Sequence, residues 1–199
     1  MGQGPWPTTI SKLKEANPSM GYGEIGAASM QAVFDAIREQ GLVIPGDGDF
    51  YDLGSGRGHA VLAAASLSPD GKFKHCYGIE LNPELHNFAV EAKEKWADKL
   101  SGIDLMNEDI PEVKLLNGDF LELDWSGASL VFAVSTLFEP PLMDGITEKA
   151  ELMGPGSLFV TVTHPLKSSL WKIQKVLQLP MSWSETPAHR SYVFIHQKV

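Results

Sequence analysis

FYDLGSGRGHAVLAAA, residues Phe50 to Ala65, is the stretch whose reading decides the fold. Phe50-Tyr51-Asp52-Leu53 is a short apolar run of the buried-strand type. Gly54, Gly56 and Gly58 follow, and then Ala, Val and Leu at helical spacing. Strand, glycine turn and helix in that order make a cradle for a nucleotide-type ligand. Glycines let the chain turn sharply and let a ligand approach the main chain closely. The helix start leaves backbone N–H groups without internal partners, directed at whatever occupies the turn.

Spacing separates two cofactor classes. A dinucleotide loop, G-x-G-x-x-G, would put its third glycine at position 59, but that position is His59 and the third glycine is Gly58. Asp52 stands two residues before the first glycine. This D-x-G-x-G-x-G pattern is similar to motif I of the class I S-adenosylmethionine (SAM) methyltransferases. SAM carries no diphosphate; it has an ammonium group and a cationic sulfur. A carboxylate at Asp52 suits that ammonium, directly or through water. Asp52, Gly54, Ser55, Gly56, Gly58 and His59 are therefore candidate cofactor residues.

The 199 residues fit one domain with a small N-terminal extension. Residues 1–20, rich in Pro, Gly, Ser and Thr, read as a flexible lead-in, and residues 21–199 as the methyltransferase domain. A single cysteine, Cys76, excludes an internal disulfide and a multi-cysteine zinc site, so no metal is expected. Cysteine usage and the lack of a long apolar run point to an intracellular protein, nuclear or cytoplasmic, away from membranes. The formal net charge of -9 argues against firm contact with DNA. Acids cluster from Asp104 to Asp124. His164 to Val199 is locally basic, with Lys167, Lys172, Lys175, Arg190 and Lys198 against Glu185. Solvated surface accounts for both; the sharper reading is an acidic side that meets a cationic substrate.

Outward from the glycine loop, strands and helices alternate. Upstream, Ile25, Met30, Val33, Phe34 and Ile37 make one helical face, with Gly41 at a C-cap position. Downstream, His75 to Ile79 is a second strand ending at Glu80, an acid placed to accept from both hydroxyls of a ribose. A helix opens at Pro83 and runs to about Lys99. Val113 to Leu116 is a third strand, ending in Asn117-Gly118-Asp119-Phe120. At that strand end Asp119 can accept from an adenine amine while Phe120 packs on the ring. Leu130 to Val134 is a fourth strand, wholly apolar and so buried on both faces. It runs into Ser135 to Pro141, where a methyl acceptor should approach, because ligands gather beyond the C-terminal strand ends of such sheets. Leu142 to Met153 reads as a helix, Ser157 to Thr163 as a fifth strand, and Ser168 to Leu177 as another helix. Short strands near Met181 to Ser184 and Ser191 to His196 close the chain. The expected fold is a doubly wound, Rossmann-like α/β layer with a seven-stranded sheet, mostly parallel, with an antiparallel C-terminal strand.

From about Gly21 to His196 the chain resembles the disruptor-of-telomeric-silencing family, the non-SET histone-lysine methyltransferases. Tyr22-Gly23-Glu24 is similar to that family's entry motif, which lies over the methionine end of SAM and so adds Tyr22 and Glu24 to the cofactor set. DLGSGRGHAVL matches its glycine loop, and Lys74 to Glu80 its second strand. Gly118-Asp119-Phe120-Leu121 with Trp125 resembles its adenine motif. Val131-Phe132 and Phe138-Glu139-Pro140 echo its fourth strand and loop, and Ser191-Tyr192 its closing strand, where a Tyr lines the lysine channel. The family's Asn-Asn-Phe stretch, which helps shape the acceptor channel, reads Val134-Ser135-Thr136 here. The long helical N-terminal region of the family and its lysine-rich tail are not matched.

The resemblance implies SAM as cofactor and a lysine-bearing protein, a histone among the candidates, as partner. Phe138 and Tyr192 would wall the channel, with Ser135 and Tyr22 as hydrogen-bonding groups. Transfer to a neutral amine needs alignment and exclusion of water more than a general base. His59 reads as a cofactor contact and His164 as a strand-end packing residue. Two other functions stay open on the same site: a small-molecule N- or O-methyltransferase, and a SAM-binding module without turnover.

Overall fold

In the computed structural model, which describes residues 25–46, 48–68, 73–101, 110–181 and 190–199, the alternation becomes a single seven-stranded sheet. The elements are α1 (Ala27–Glu39), β1 (Gly48–Leu53), α2 (His59–Leu67), β2 (Phe73–Glu80), α3 (Pro83–Ser101) and β3 (Glu112–Asn117). Then come β4 (Ala128–Ala133), a 3-10 turn (Ser135–Leu137), α4 (Pro140–Ala150), β5 (Leu158–Val162), β6 (Trp171–Leu179) and β7 (Ser191–Lys198). Strand order is β3-β2-β1-β4-β5-β7-β6. β3, β2, β1, β4 and β5 run parallel, and β7 lies antiparallel to both β5 and β6. The expected doubly wound Rossmann-like sheet, with its antiparallel C-terminal strand, is the observed one.

Each face of the sheet carries its own core. On one face Met30, Val33, Phe34 and Ile37 of α1 and Val61 and Ala64 of α2 pack over Phe50, Cys76, Phe132 and Val160. On the other, Ile146 and Met153 pack with Leu53, Ile79, Val131 and Phe159. Phe159 is met edge-on by Trp125 at 6.1 Å and by Trp171 at 5.9 Å. All six residues of β4 are buried, as a strand covered on both faces requires. Burying one such Phe contributes about 2–3 kcal/mol, so the middle of the sheet is a stiff platform for the loops at its end.

One element differs in kind from the pattern expected of its residues. Ser168 to Leu177, expected as a helix, is edge strand β6 from Trp171. The strand expected near Met181 to Ser184 falls mostly outside the described residues; Met181 itself is buried and non-strand. The lead-in at 1–20 and the entry motif Tyr22-Gly23-Glu24 also lie outside them. Among the described residues, no helix is long and apolar enough to cross a membrane.

Candidate active site

Three neighbouring parallel strands, β1, β2 and β3, end together, and each contributes an acid there or just beyond. Parallel neighbours lie about 4.8 Å apart, so Asp52, Glu80 and Asp119 fall along one rim. Asp52 is 2% exposed and Glu80 8%, while Asp119 is half-buried. Side chains alternate along a strand, and Asp52 shares the face of Phe50, which belongs to the core covered by α1 and α2. The chain therefore brings its three acid candidates to one end of the sheet.

The glycine loop is held down from the β2 side. Gly54, Gly56 and Gly58 have φ of +78°, +54° and +79°, a region that side chains with a Cβ rarely adopt. The Gly54 and Ser55 N–H groups both donate to the Ile79 carbonyl at 2.9 Å. Glu80 does more than close the rim. One of its oxygens accepts from the Gly56 N–H at 2.7 Å and the other from the Asn82 N–H at 2.8 Å. Burial holds its carboxyl above the usual value, and these N–H bonds, with nearby His86, offset only part of that rise. Gly78 makes room for the loop: a Cβ there would stand 2.8 Å from Ser55 Oγ and from Val61 Cγ2. Gly58 likewise lets α2 approach α3, where a Cβ would meet Ala89 Cβ at 3.1 Å.

Two asparagines outside the candidate site residues complete this side. Asn82 Oδ1 accepts from the Glu84 N–H at 2.8 Å and caps α3. The signal was present: Asn directly before Pro-Glu is a helix start. Asn117 Nδ2 donates to the Glu80 carbonyl at 2.7 Å, tying β3 to the β2 end. Asp119 accepts from the Leu121 N–H at 2.7 Å, which fixes the turn carrying Phe120. The buried Phe120 ring lies 5.9 Å from Phe138, and Phe138 in turn would stand 3.5 Å from a Cβ at Gly54. Glycine loop, Asp119-Phe120 turn and post-β4 loop thus converge on one pair of rings. His59, the first residue of α2, is exposed.

The β4–β5–β7 end is organised differently. Ser135 is fully buried, at 0% exposure, and its hydroxyl donates to the Val162 carbonyl at 2.5 Å. The same oxygen accepts from the His164 N–H at 3.2 Å. Its neighbour Thr136 pairs hydroxyl to hydroxyl with Thr163 at 2.9 Å. Tyr192, at the β7 start, is 53% exposed, and its carbonyl accepts from the Thr163 N–H at 2.8 Å. The exposed His164 follows Thr163. His196, behind them, is fully buried: Nδ1 donates to the Phe159 carbonyl at 2.9 Å, and Nε2 accepts from the Leu166 N–H at 3.3 Å. Burial holds this imidazole below its usual pKa, in the neutral form that both bonds need. Neither threonine was a sequence candidate.

Comparison with known proteins agrees with this geometry. The chain matches the family described as histone methylation protein DOT1 over residues 7–176. No curated protein sequence matches it. Among solved structures, the rRNA methyltransferase aviRa of Streptomyces viridochromogenes superposes with a TM-score of 0.59 at 10% identity, over 90% of this chain and 89% of that one. Magnesium protoporphyrin IX methyltransferase of Synechocystis PCC 6803, a structure with bound SAM, gives 0.57 at 13% identity, over 97% and 92%. A putative class I SAM-dependent methyltransferase of Listeria monocytogenes gives 0.61 at 13% identity, over 96% and 68%. At such identities the likeness is one of fold, and the fold is that of the class I methyltransferases.

Proposed function

The chain belongs to the histone methylation protein DOT1 family and is a methyltransferase by family and fold; from that premise we propose that it uses SAM to methylate a lysine side chain of a histone or another protein. The observation that carries the cofactor half is the Glu80 carboxylate, which clamps the glycine loop and closes the rim of strand-end acids. Its two oxygens are the acceptors that a pair of ribose hydroxyls requires. Asp52 would take the ammonium end, Asp119 the adenine amine, and Phe120 the adenine ring. Bound there, SAM would supply a methyl group activated by a cationic sulfur.

The residues of the chain bind, orient and keep water out. Phe138 and Phe120 form an apolar wall beside the glycine loop. A lysine has a reference pKa of about 10.4. An apolar wall disfavours its ammonium form and so favours the neutral amine that transfer needs. The half-exposed Tyr192 leaves the acceptor side open enough for a compact solute as well, which keeps a small-molecule acceptor as the second reading.

A tritium-transfer assay with labelled SAM against core histones, other free proteins and a metabolite extract tests this. Label on histone or another protein, released as methyl-lysine on hydrolysis, is expected. Label confined to small molecules overturns the lysine reading in favour of the second. SAM binding without transfer to any fraction leaves a binding module.

A further inference from the structure

Among the described residues, Thr163 is the only non-glycine with positive φ, at +77°. For a β-branched side chain that conformation is a genuine outlier. Such residues persist where surrounding contacts over-determine them, and they gather at functional sites. The contacts are present. The Thr163 N–H is held by the Tyr192 carbonyl, and the buried Ser135 hydroxyl bonds the residues on either side, Val162 and His164. What this scaffold presents is the Thr163 hydroxyl, 2.9 Å from that of Thr136. A glycine would satisfy the backbone here without strain, so the only local return for the strain is the hydroxyl bond to Thr136.

The pair's place and chemistry suggest the reason. It joins the C-terminal ends of β4 and β5, two residues before Phe138, whose ring borders the glycine loop. Both threonines are half-buried, and both lie at the strand ends beyond which ligands of such sheets gather. Two hydroxyls that share one hydrogen bond keep one O–H and three lone pairs between them. Such a group is rich in acceptors and suits a ligand that brings N–H donors.

We propose that the Thr136–Thr163 hydroxyl pair receives the nitrogen of the methyl acceptor, an amine, and fixes its orientation. Accepting the amine's N–H bonds leaves the nitrogen lone pair free to point across the cleft toward the glycine loop. The inference rests on the amine acceptor proposed above and names the groups that hold it.

The test uses S-adenosylhomocysteine and a bisubstrate analogue of it, in which nitrogen replaces the sulfur and bears an aminoethyl arm whose amine stands in for the acceptor nitrogen. Calorimetry on the wild type should show the analogue binding at least tenfold more tightly than S-adenosylhomocysteine. Thr163→Gly and Thr136→Val should each cut that gain about tenfold, the worth of one hydrogen bond to a charged or strongly polar group. Thr163→Ser should keep it, and S-adenosylhomocysteine itself should bind all variants alike. The unfolding midpoint of Thr163→Gly should equal or exceed that of the wild type, which a purely structural threonine would not combine with loss of the arm's contribution. A gain retained in both Thr163→Gly and Thr136→Val, or absent in the wild type, overturns the proposal. Should histone transfer fail while the gain responds to the variants, the protein-lysine reading falls and the hydroxyl pair stands.

Discussion

On the β1–β2–β3 side of the cleft, main-chain groups do most of the binding to each other. Gly54 and Ser55 hang from the Ile79 carbonyl, Gly56 and Asn82 share the Glu80 carboxylate, and Gly118 bonds the Glu80 carbonyl. On the β4–β5–β7 side the structure is a chain of side-chain hydroxyls, with Ser135 beneath and Thr136 and Thr163 above, next to a half-exposed tyrosine. Main-chain bonds depend on the path of the backbone, and so on glycine. Hydroxyl networks depend on which side chain stands where. The first side should therefore break all at once when a glycine is lost, and the second should be tunable residue by residue.

The largest effect is expected at Gly58. A valine there must adopt φ near +79° and press on Ala89 Cβ, at 3.1 Å from the new Cβ. Strain and overpacking together should cost roughly 3 kcal/mol or more, read from urea unfolding, and cofactor binding should go with it. A valine tolerated without cost would show that the loop is not held as tightly as its bonds suggest.

Glu80→Gln comes next. The amide keeps the shape but offers one acceptor oxygen, so either Gly56 or Asn82 must face an NH2 group. An unsatisfied buried N–H costs about 1–3 kcal/mol, so SAM affinity should drop about ten- to a hundredfold while the protein still unfolds cooperatively. Unchanged affinity would mean that the carboxylate is a structural brace only.

On the opposite side, Thr163→Gly trades strain against a lost hydroxyl pair and a freer unfolded chain. Its net effect on stability should be within about 1 kcal/mol of zero, on the stabilising side. A clear destabilisation would contradict the strain assigned to Thr163.

The smallest effect is in the pH profile. His196 is held neutral, below its ordinary pKa. Its contribution is complete above the ordinary value of about 6.5 and is lost as pH falls through the depressed one, because only the unfolded chain then binds the proton readily. The wild-type midpoint should therefore fall between pH 7.5 and 5 more steeply than that of His196→Gln. Parallel profiles would remove His196 from the account.

The two sides also differed in how plainly the sequence announced them. Backbone geometry leaves glycine and strand-end acids as signals, so the loop from Asp52 to Gly58, Glu80 and the Asp119-Phe120 turn could be placed in advance. Hydroxyl networks leave little trace. Ser135 is a candidate, yet its hydroxyl is spent on β5; Thr136 enters only as part of the Val134-Ser135-Thr136 stretch, and nothing in the pattern marks Thr163. The misread helix has a similar cause. In β6 the bulge between Ile173 and Lys175 breaks the period of two. Leu170, Ile173, Val176 and Leu177 then fall at helix-like spacing among Lys and Gln, which are good helix formers. At an exposed edge, Ile173 and Val176 face solvent, and burial gives no corrective signal.

The central claim is that the glycine turn and the strand-end carboxylates hold SAM, and titration calorimetry tests it most directly. Wild-type protein should bind one SAM per chain, and Gly56→Val, checked for cooperative unfolding, should bind none that is detectable. Tyr192→Phe, on the far side of the cleft, should bind as the wild type does. A folded Gly56→Val with undiminished affinity, or a wild type that takes up no SAM, would contradict the account.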